Sequence, residues 1–243
     1  DHAERLLLAL GVPLRTLATV VELDAAGWSG SMPAFDARVP GDPSAAAFVV
    51  GAALMVPDSR VTVRRVGTNP TATGFFDALR EMHAPVALEP DGDESGEPIA
   101  TVRVENASAL ASAKIGSEIA WRSADELAVL AAIAARAPGE TTTTIRAGES
   151  GALSRSAATA DVLRAFGVEC ELLADGLLVA GRAGALRAAR VDSLGDARVA
   201  MAAVLLGLAG DAPSRVAGAD CVGELFPRFV GTLRALGARI DVA

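Results

Sequence analysis

The sequence predicts an α/β protein built from repeated β-α-β-α-β-β units. Two observations carry this reading. An amphipathic helix ending in a tight turn and then a strand occurs four times: at Arg5–Gly11, Phe76–His83, Asp161–Gly167 and Gly231–Gly237. Leucine-type residues at helical spacing mark one buried face in each copy, and glycine at three of the four turns suits a left-handed position after a helix end. His83 takes that place in the second copy, which a non-glycine residue tolerates less readily. Ahead of three of these segments, an alanine-rich helix leads into a short β-rich stretch. Self-similarity of this kind is the mark of a chain built by stacking one supersecondary unit.

The elements follow in order. Residues 1–38 hold one helix and two strands, then a turn-rich stretch, Ala25–Pro40, leads on. The unit at about 39–106 has a helix at Ser44–Met55, a strand at Val61–Val66 and a second helix ending at His83. The acidic run Asp91–Pro98 reads as a hairpin tip in solvent, since its spacing fits no calcium loop. The unit at about 107–181 has a helix over Ala124–Ala137, a strand over Thr141–Arg146 and a helix ending at Gly167. Two strands, Val168–Leu173 and Gly176–Ala180, close it around Ala174-Asp175-Gly176, a hairpin signal. The unit at about 182–243 has a helix over Asp196–Leu208, a weak strand at Ser214–Ala217 and a last helix ending at Gly237. Val129–Ala135 and Val199–Leu208 are apolar nearly all round, which predicts helices in the middle of a domain.

Composition excludes several classes. A net charge of −8 argues against a nucleic-acid surface, which needs clustered cations; the arginines are scattered and Lys114 is the only lysine. The longest apolar runs, Ala45–Val56 and Val199–Ala209, are too short to span a bilayer. Cys170 and Cys221 lack ligand spacing and read as reduced thiols of a cytoplasmic protein. His2 and His83 form no metal constellation, so no metal site is expected. The chain opens at Asp1 already inside a helical pattern, without a signal-peptide layout, and reads as a fragment.

Several segments resemble one family. Val39-Pro-Gly-Asp-Pro-Ser-Ala-Ala-Ala-Phe48 is similar to the opening of the C-terminal domain of the 5-enolpyruvylshikimate-3-phosphate synthases, and Arg64-Arg-Val-Gly-Thr-Asn-Pro-Thr-Ala-Thr-Gly-Phe75 to the strand-to-helix turn that follows it. Asp1-His-Ala-Glu-Arg-Leu-Leu7 looks like the last helix of the preceding domain. Ala124-Asp-Glu-Leu127 and Phe226-Pro-Arg-Phe229 fall where that family carries its Asp-Glu and Phe-Pro motifs. The resemblance runs in order along essentially the whole chain. It implies an enolpyruvyl-transferase-type domain, an inside-out α/β barrel, at 39–243, with 1–38 the tail of a missing N-terminal domain. It implies transfer of the enolpyruvyl group of phosphoenolpyruvate to the 5-hydroxyl of shikimate 3-phosphate, with no metal or organic cofactor. The relative acting on UDP-N-acetylglucosamine shares the architecture, but the Pro40-Gly-Asp and Asn69-Pro-Thr segments fit the shikimate enzyme better.

Such chemistry needs a carboxylate to take the hydroxyl proton, an acid to protonate the methylene carbon, and cations to hold anionic substrates. The resemblance puts the catalytic carboxylate at Asp125. At the start of an apolar helix, that residue could instead be only a cap. Arg198, in Gly195-Asp-Ala-Arg-Val-Ala-Met201, matches an arginine that grips phosphoenolpyruvate, although the motif's histidine is Ala197; a salt bridge to Asp196 or Asp192 is the alternative. The family's Lys-Glu-Ser-Asp-Arg aligns with Gly151, Ala152, Leu153, Ser154 and Arg155, so Arg155 alone matches and the lysine and glutamate are lost. Glu149, in a shifted loop, is an alternative acid. Glu224 stands where some relatives carry a cation. The retained residues favour an enolpyruvyl transferase that works once joined to its missing half. The lost pair favours a degenerate paralogue, kept as an anion-binding or interaction domain.

Overall fold

The computed structural model describes every residue except 18–19, 106–109, 138–141, 147–151, 175 and 243, and only the backbone of 142–146 and 152–154. The chain opens with helix α1 (His2–Ala9) and a hairpin of β1 (Leu14–Leu17) and β2 (Val20–Leu23). Helix α2 (Pro43–Met55) starts on a proline in its first turn, with Asp42 accepting from Ser44 N–H at 2.8 Å. Both features suit a helix N-terminus, where backbone donors lack partners. Strand β3 (Arg60–Gly67), helix α3 (Gly74–Glu81), β4 (Val86–Glu94) and β5 (Glu97–Glu105) follow. Next come β6 (Lys114–Ile115), α4 (Ser117–Arg122), α5 (Leu127–Ala134), β7 (Thr142–Arg146), α6 (Ala152–Ala165), β8 (Glu169–Leu173) and β9 (Gly176–Ala180). The chain ends with β10 (Arg190–Asp192), α7 (Ala197–Leu208), β11 (Arg215–Ala217), α8 (Val222–Leu225) and α9 (Phe229–Ala235).

The repeat is visible in the sheets. One sheet has the order β3-β5-β4, with both pairs antiparallel, and another the order β6-β7-β9-β8. In the second, β6 pairs parallel to β7 while β9 runs antiparallel to both β7 and β8. A short parallel pair, β10-β11, occupies the matching place in the last unit. In the first unit that place shrinks to a bridge between Gly41 and Val66. Among the described residues, the sheets do not close into a continuous barrel.

The helices α2, α5 and α7 pack on one another in the interior. Every residue of α5 is buried, as are most of α2 and α7. Uniformly apolar helices can only be accommodated this way, since they have no polar face to offer water. Glycine permits the closest approach: a Cβ at Gly51 of α2 would lie 2.7 Å from Val129 Cγ2 and 2.9 Å from Leu205 Cδ2. The four repeated turns also form as expected, with Gly11, His83, Gly167 and Gly237 all at positive φ.

Two expectations change. The helix read as Ala124–Ala137 begins only at Leu127, after a separate helix α4 and a turn over Ser123–Glu126. The expected start at Ala124 falls inside that turn, because Ala-Asp-Glu before an apolar run also suits the first turn of a helix. The acidic run 91–98 is not all tip: β4 continues to Glu94 and β5 starts at Glu97, leaving Ser95-Gly96 as the turn. Arg65 of β3 pairs with Glu94, which holds one of those acids in the sheet. Near Arg65, at positive φ, the register of β3 shifts between Val63 and Val66; the Arg65 carbonyl accepts from Gly41 N–H at 2.7 Å. The bulge thereby fixes the segment that starts α2.

Candidate active site

Polar side chains collect where α2, α5, α6 and α7 begin. Helix α4 stops at Arg122, and Ser123, fully buried, turns its hydroxyl back to donate to the Ile119 carbonyl at 2.7 Å. The Glu126 N–H donates to the Ser123 carbonyl at 2.9 Å, and α5 starts one residue later. The corner so formed carries Asp125, whose side chain is 55% exposed. It does not cap α5, which has no side-chain cap at its start, so the capping alternative is overturned.

Asp125 instead faces two arginines. Arg198 Nη2, from the first turn of α7, lies 2.9 Å from Asp125 Oδ2. Arg155 Nη1, near the start of α6, lies 3.7 Å from Asp125 Oδ1 and 3.5 Å from the Ala124 carbonyl. The Arg198 alternative of pairing with Asp196 or Asp192 is replaced, because both acids are engaged elsewhere. Asp196 caps α7, its Oδ1 accepting from Arg198 N–H at 2.9 Å and Val199 N–H at 3.1 Å, while Oδ2 receives Arg155 Nε at 3.1 Å. Asp192 accepts from Leu194 N–H. Burial works against the charge on Asp196, but the Val199 N–H, the Arg155 guanidinium and the Arg198 N–H together hold its carboxyl below the ordinary value. A cation at a helix N-terminus is unfavourable by itself; Arg198 is tolerated there because Asp125 and Asp196 flank it.

Glu126, next to Asp125, received no role from the sequence. It is 5% exposed and accepts a hydrogen bond from Ser44 Oγ on α2. Burial pushes its carboxyl up to about 7; the Ser44 hydrogen bond and Arg198 oppose this, and Asp125 and Asp42 add to it. The available signal was a second acid beside Asp125, at the edge of a run with no other polar residue. Asp196, read only as a possible ion-pair acceptor, is the cap that ties α6 to α7.

Other expected positions stand apart from this group or outside the description. Glu149 and Gly151 lie outside the described residues, and Ala152–Ser154 are described by backbone alone. Glu224 is exposed on α8. In the neighbouring Phe-Pro segment, Phe229 packs edge-on against Phe48 of α2 and tilts against Phe226. Cys170 and Cys221 are half-buried free thiols, and burial pushes the Cys170 thiol up. Among the described residues, no group of three or more His, Cys, Asp or Glu side chains gathers as a metal site would require. No helix among them is long and apolar enough to cross a membrane.

Comparison with known proteins agrees with this architecture. The family model described as EPSP synthase (3-phosphoshikimate 1-carboxyvinyltransferase) matches residues 1–233. The chain is 37% identical to the 3-phosphoshikimate 1-carboxyvinyltransferase of Geobacter sp. (strain M21), covering 96% of this chain and 53% of that protein. It is 38% identical to the one of Geobacter sulfurreducens, covering 98% and 55%. Among solved structures, the EPSP synthase from Acinetobacter baumannii superposes with a TM-score of 0.93 at 28% identity, over 100% of this chain and 55% of that one. The enolpyruvyl transferase NikO from Streptomyces tendae shares the fold, with a TM-score of 0.62 at 19% identity over 82% of this chain. The chain spans about half the length of the curated relatives it matches, and along that span it belongs to the EPSP synthase family.

Proposed function

We propose that this chain is the C-terminal share of an enzyme that transfers the enolpyruvyl group of phosphoenolpyruvate to the 5-hydroxyl of shikimate 3-phosphate. The observation that carries the reading is the contact of Asp125 with both Arg198 and Arg155 in a chain of this family. In the proposed reaction, Asp125 takes the proton of the attacking hydroxyl as its oxygen bonds to the central carbon of phosphoenolpyruvate, while an acid protonates the methylene carbon. Loss of that proton and departure of phosphate from the tetrahedral intermediate then restore the double bond. Arg155 and Arg198 hold the anionic groups of phosphoenolpyruvate, for which the planar guanidinium is suited. Glu149 is the proposed acid. The exposure of Asp125, beside two arginines that are each about one-fifth exposed, supports the reading: the acid is open to an incoming acceptor while the cations are already partly desolvated.

The reading needs the missing N-terminal domain, to which residues 1–38 are assigned as the tail, with 39–243 forming the C-terminal domain of three units. Leu17, Val20, Val21 and Leu23 of the β1-β2 hairpin are all exposed, a surface that such a domain would cover. The setting proposed is cytoplasmic. A second reading, a paralogue that has lost the reaction, is favoured by Gly151 and Ala152 in place of the family's lysine and glutamate.

The test is a phosphate-release assay on the full-length protein with phosphoenolpyruvate and shikimate 3-phosphate. Turnover with both substrates is expected. Absence of turnover together with absence of calorimetric binding of either ligand would establish the second reading instead.

A further inference from the structure

Glu126 is bound into the molecule in a way that stability alone does not account for. Its carboxyl reaches away from its own helix to a different unit, where Ser44 in the first turn of α2 donates to Oε1. Ser44 is itself fixed by the cap Asp42, which accepts its N–H at 2.8 Å. On the other side, the Glu126 N–H donates to the Ser123 carbonyl and its carbonyl accepts the Leu130 N–H, each at 2.9 Å. A buried carboxyl with one hydroxyl partner is costly, and an apolar residue would suit the start of a wholly buried helix better.

The groups that face this carboxyl are Asp125 on the same corner, Ser44 and Asp42 at the start of α2, and Arg198 from α7. The corner is thus held between two helices of different units. On one side Glu126 joins it to α2, and on the other Asp125 meets α7 through Arg198 at 2.9 Å. Asp125 has no hydrogen bond to a backbone N–H among those described, so the orientation of its carboxylate depends on where the corner sits. We infer that Glu126 is a positioning residue, which, through Ser44, seats the Ser123–Glu126 corner against α2 and so presents the Asp125 carboxylate to Arg198 and Arg155. This rests on the proposed reading of Asp125 as the proton acceptor. A shift of an ångström in such a group is enough to slow a reaction on the order of 10²-fold.

The experiment uses the full-length protein, in the parent form and with Glu126→Ala, Glu126→Gln and Ser44→Ala. Crystal structures of the variants give a readout that does not depend on turnover. Glu126→Ala is expected to displace the corner and break the Asp125–Arg198 pair, while Glu126→Gln, which keeps a hydrogen bond to Ser44, retains it. A pair unchanged in Glu126→Ala overturns the inference, even if the parent protein proves inactive and the enzyme reading falls with it. Where the parent turns over, Glu126→Ala should lower kcat on the order of 10- to 100-fold with KM for both substrates within about twofold, and Glu126→Gln should restore most of the loss. A kcat that stays at the parent value in a folded Glu126→Ala protein overturns it as well. If that variant does not fold, Ser44→Ala decides: a lowered kcat at constant KM supports the inference, and an unchanged kcat overturns it.

Discussion

At the scale of single residues, the site is defined by two adjacent acids in opposite environments. Asp125 is half open to water and paired with arginine, whereas Glu126 is buried against a serine. Because Asp125 caps nothing, Asp125→Ala should leave the melting transition within about 1 kcal/mol of the parent. On the proposed reading of Asp125 as general base, turnover of the full-length protein should fall on the order of 10²-fold or more. Glu126 behaves differently with pH. In the folded protein its carboxyl keeps its proton until about 7, against 4.5 for the ordinary group. Between those values the native state binds more protons than the unfolded chain, so stability falls as pH rises through that window. The contribution is complete below the ordinary value and lost above about 7. Glu126→Gln removes the titration, so denaturant melts should show the variant gaining on the parent between about pH 5 and pH 8, by at most about 3 kcal/mol. Equal gains at both ends would show that Glu126 is not the group responsible. Asp125, Arg155 and Arg198 were legible as site candidates from motif resemblance, yet their mutual contact was not. Three residues distant in sequence meet only because the starts of α5, α6 and α7 come together. Glu126 was read only as the second letter of the Asp-Glu motif and given no role, because an acid beside an apolar run reads as a helix edge.

At the scale of elements, the turns were the most legible feature, because backbone geometry leaves few residue choices. Gly11, Gly167 and Gly237 occupy left-handed positions after helices, and His83 does so at φ +53°. His83→Gly should therefore stabilise the chain by about 0.5–1 kcal/mol, and Gly167→Ala should destabilise it by about 1 kcal/mol or more, both read from urea midpoints. The starts of helices were less legible. Asp196 caps α7 through two N–H groups and also holds Arg155. Its replacement by alanine should cost about 1–2 kcal/mol in the melt and, on the proposed role of Arg155, should also weaken binding of phosphoenolpyruvate; calorimetry on the same variant checks the second effect. The start of α5 was read at Ala124, ahead of Leu127, for a different reason. Ser123-Ala-Asp-Glu126 suits the first turn of a helix as well as it suits a corner, so the later start is dictated by packing: the Ser123 side chain is fully buried and bonded back to Ile119.

At the scale of the whole molecule, three helices without a polar face form the centre, and the sheets lie on them. That arrangement places the N-terminal ends of α5 and α7 side by side, which is what brings Asp125 and Arg198 within 2.9 Å. The spacing of the helices therefore controls the site as well as the core. Gly51 is the point at which this spacing is most exposed to change. It lies in the middle of α2, where glycine costs helix stability on the order of 1 kcal/mol relative to alanine. That cost is offset by close approach, since a Cβ there would meet Val129 of α5 at 2.7 Å and Leu205 of α7 at 2.9 Å. Val129 is β-branched and rigid, and both neighbours are fully or almost fully buried. Interiors packed to this density do not absorb extra volume without moving backbone. Gly51→Val should thus push α2 away from α5 and α7 and cost about 1–3 kcal/mol by denaturant unfolding. The same displacement should disturb the Ser44–Glu126 contact at the start of α2, so on the proposed function kcat of the full-length protein should fall although residue 51 lies in the middle of the helix. A variant that is destabilised but keeps full kcat would show that the site is insulated from helix spacing, and that the local corner alone sets Asp125.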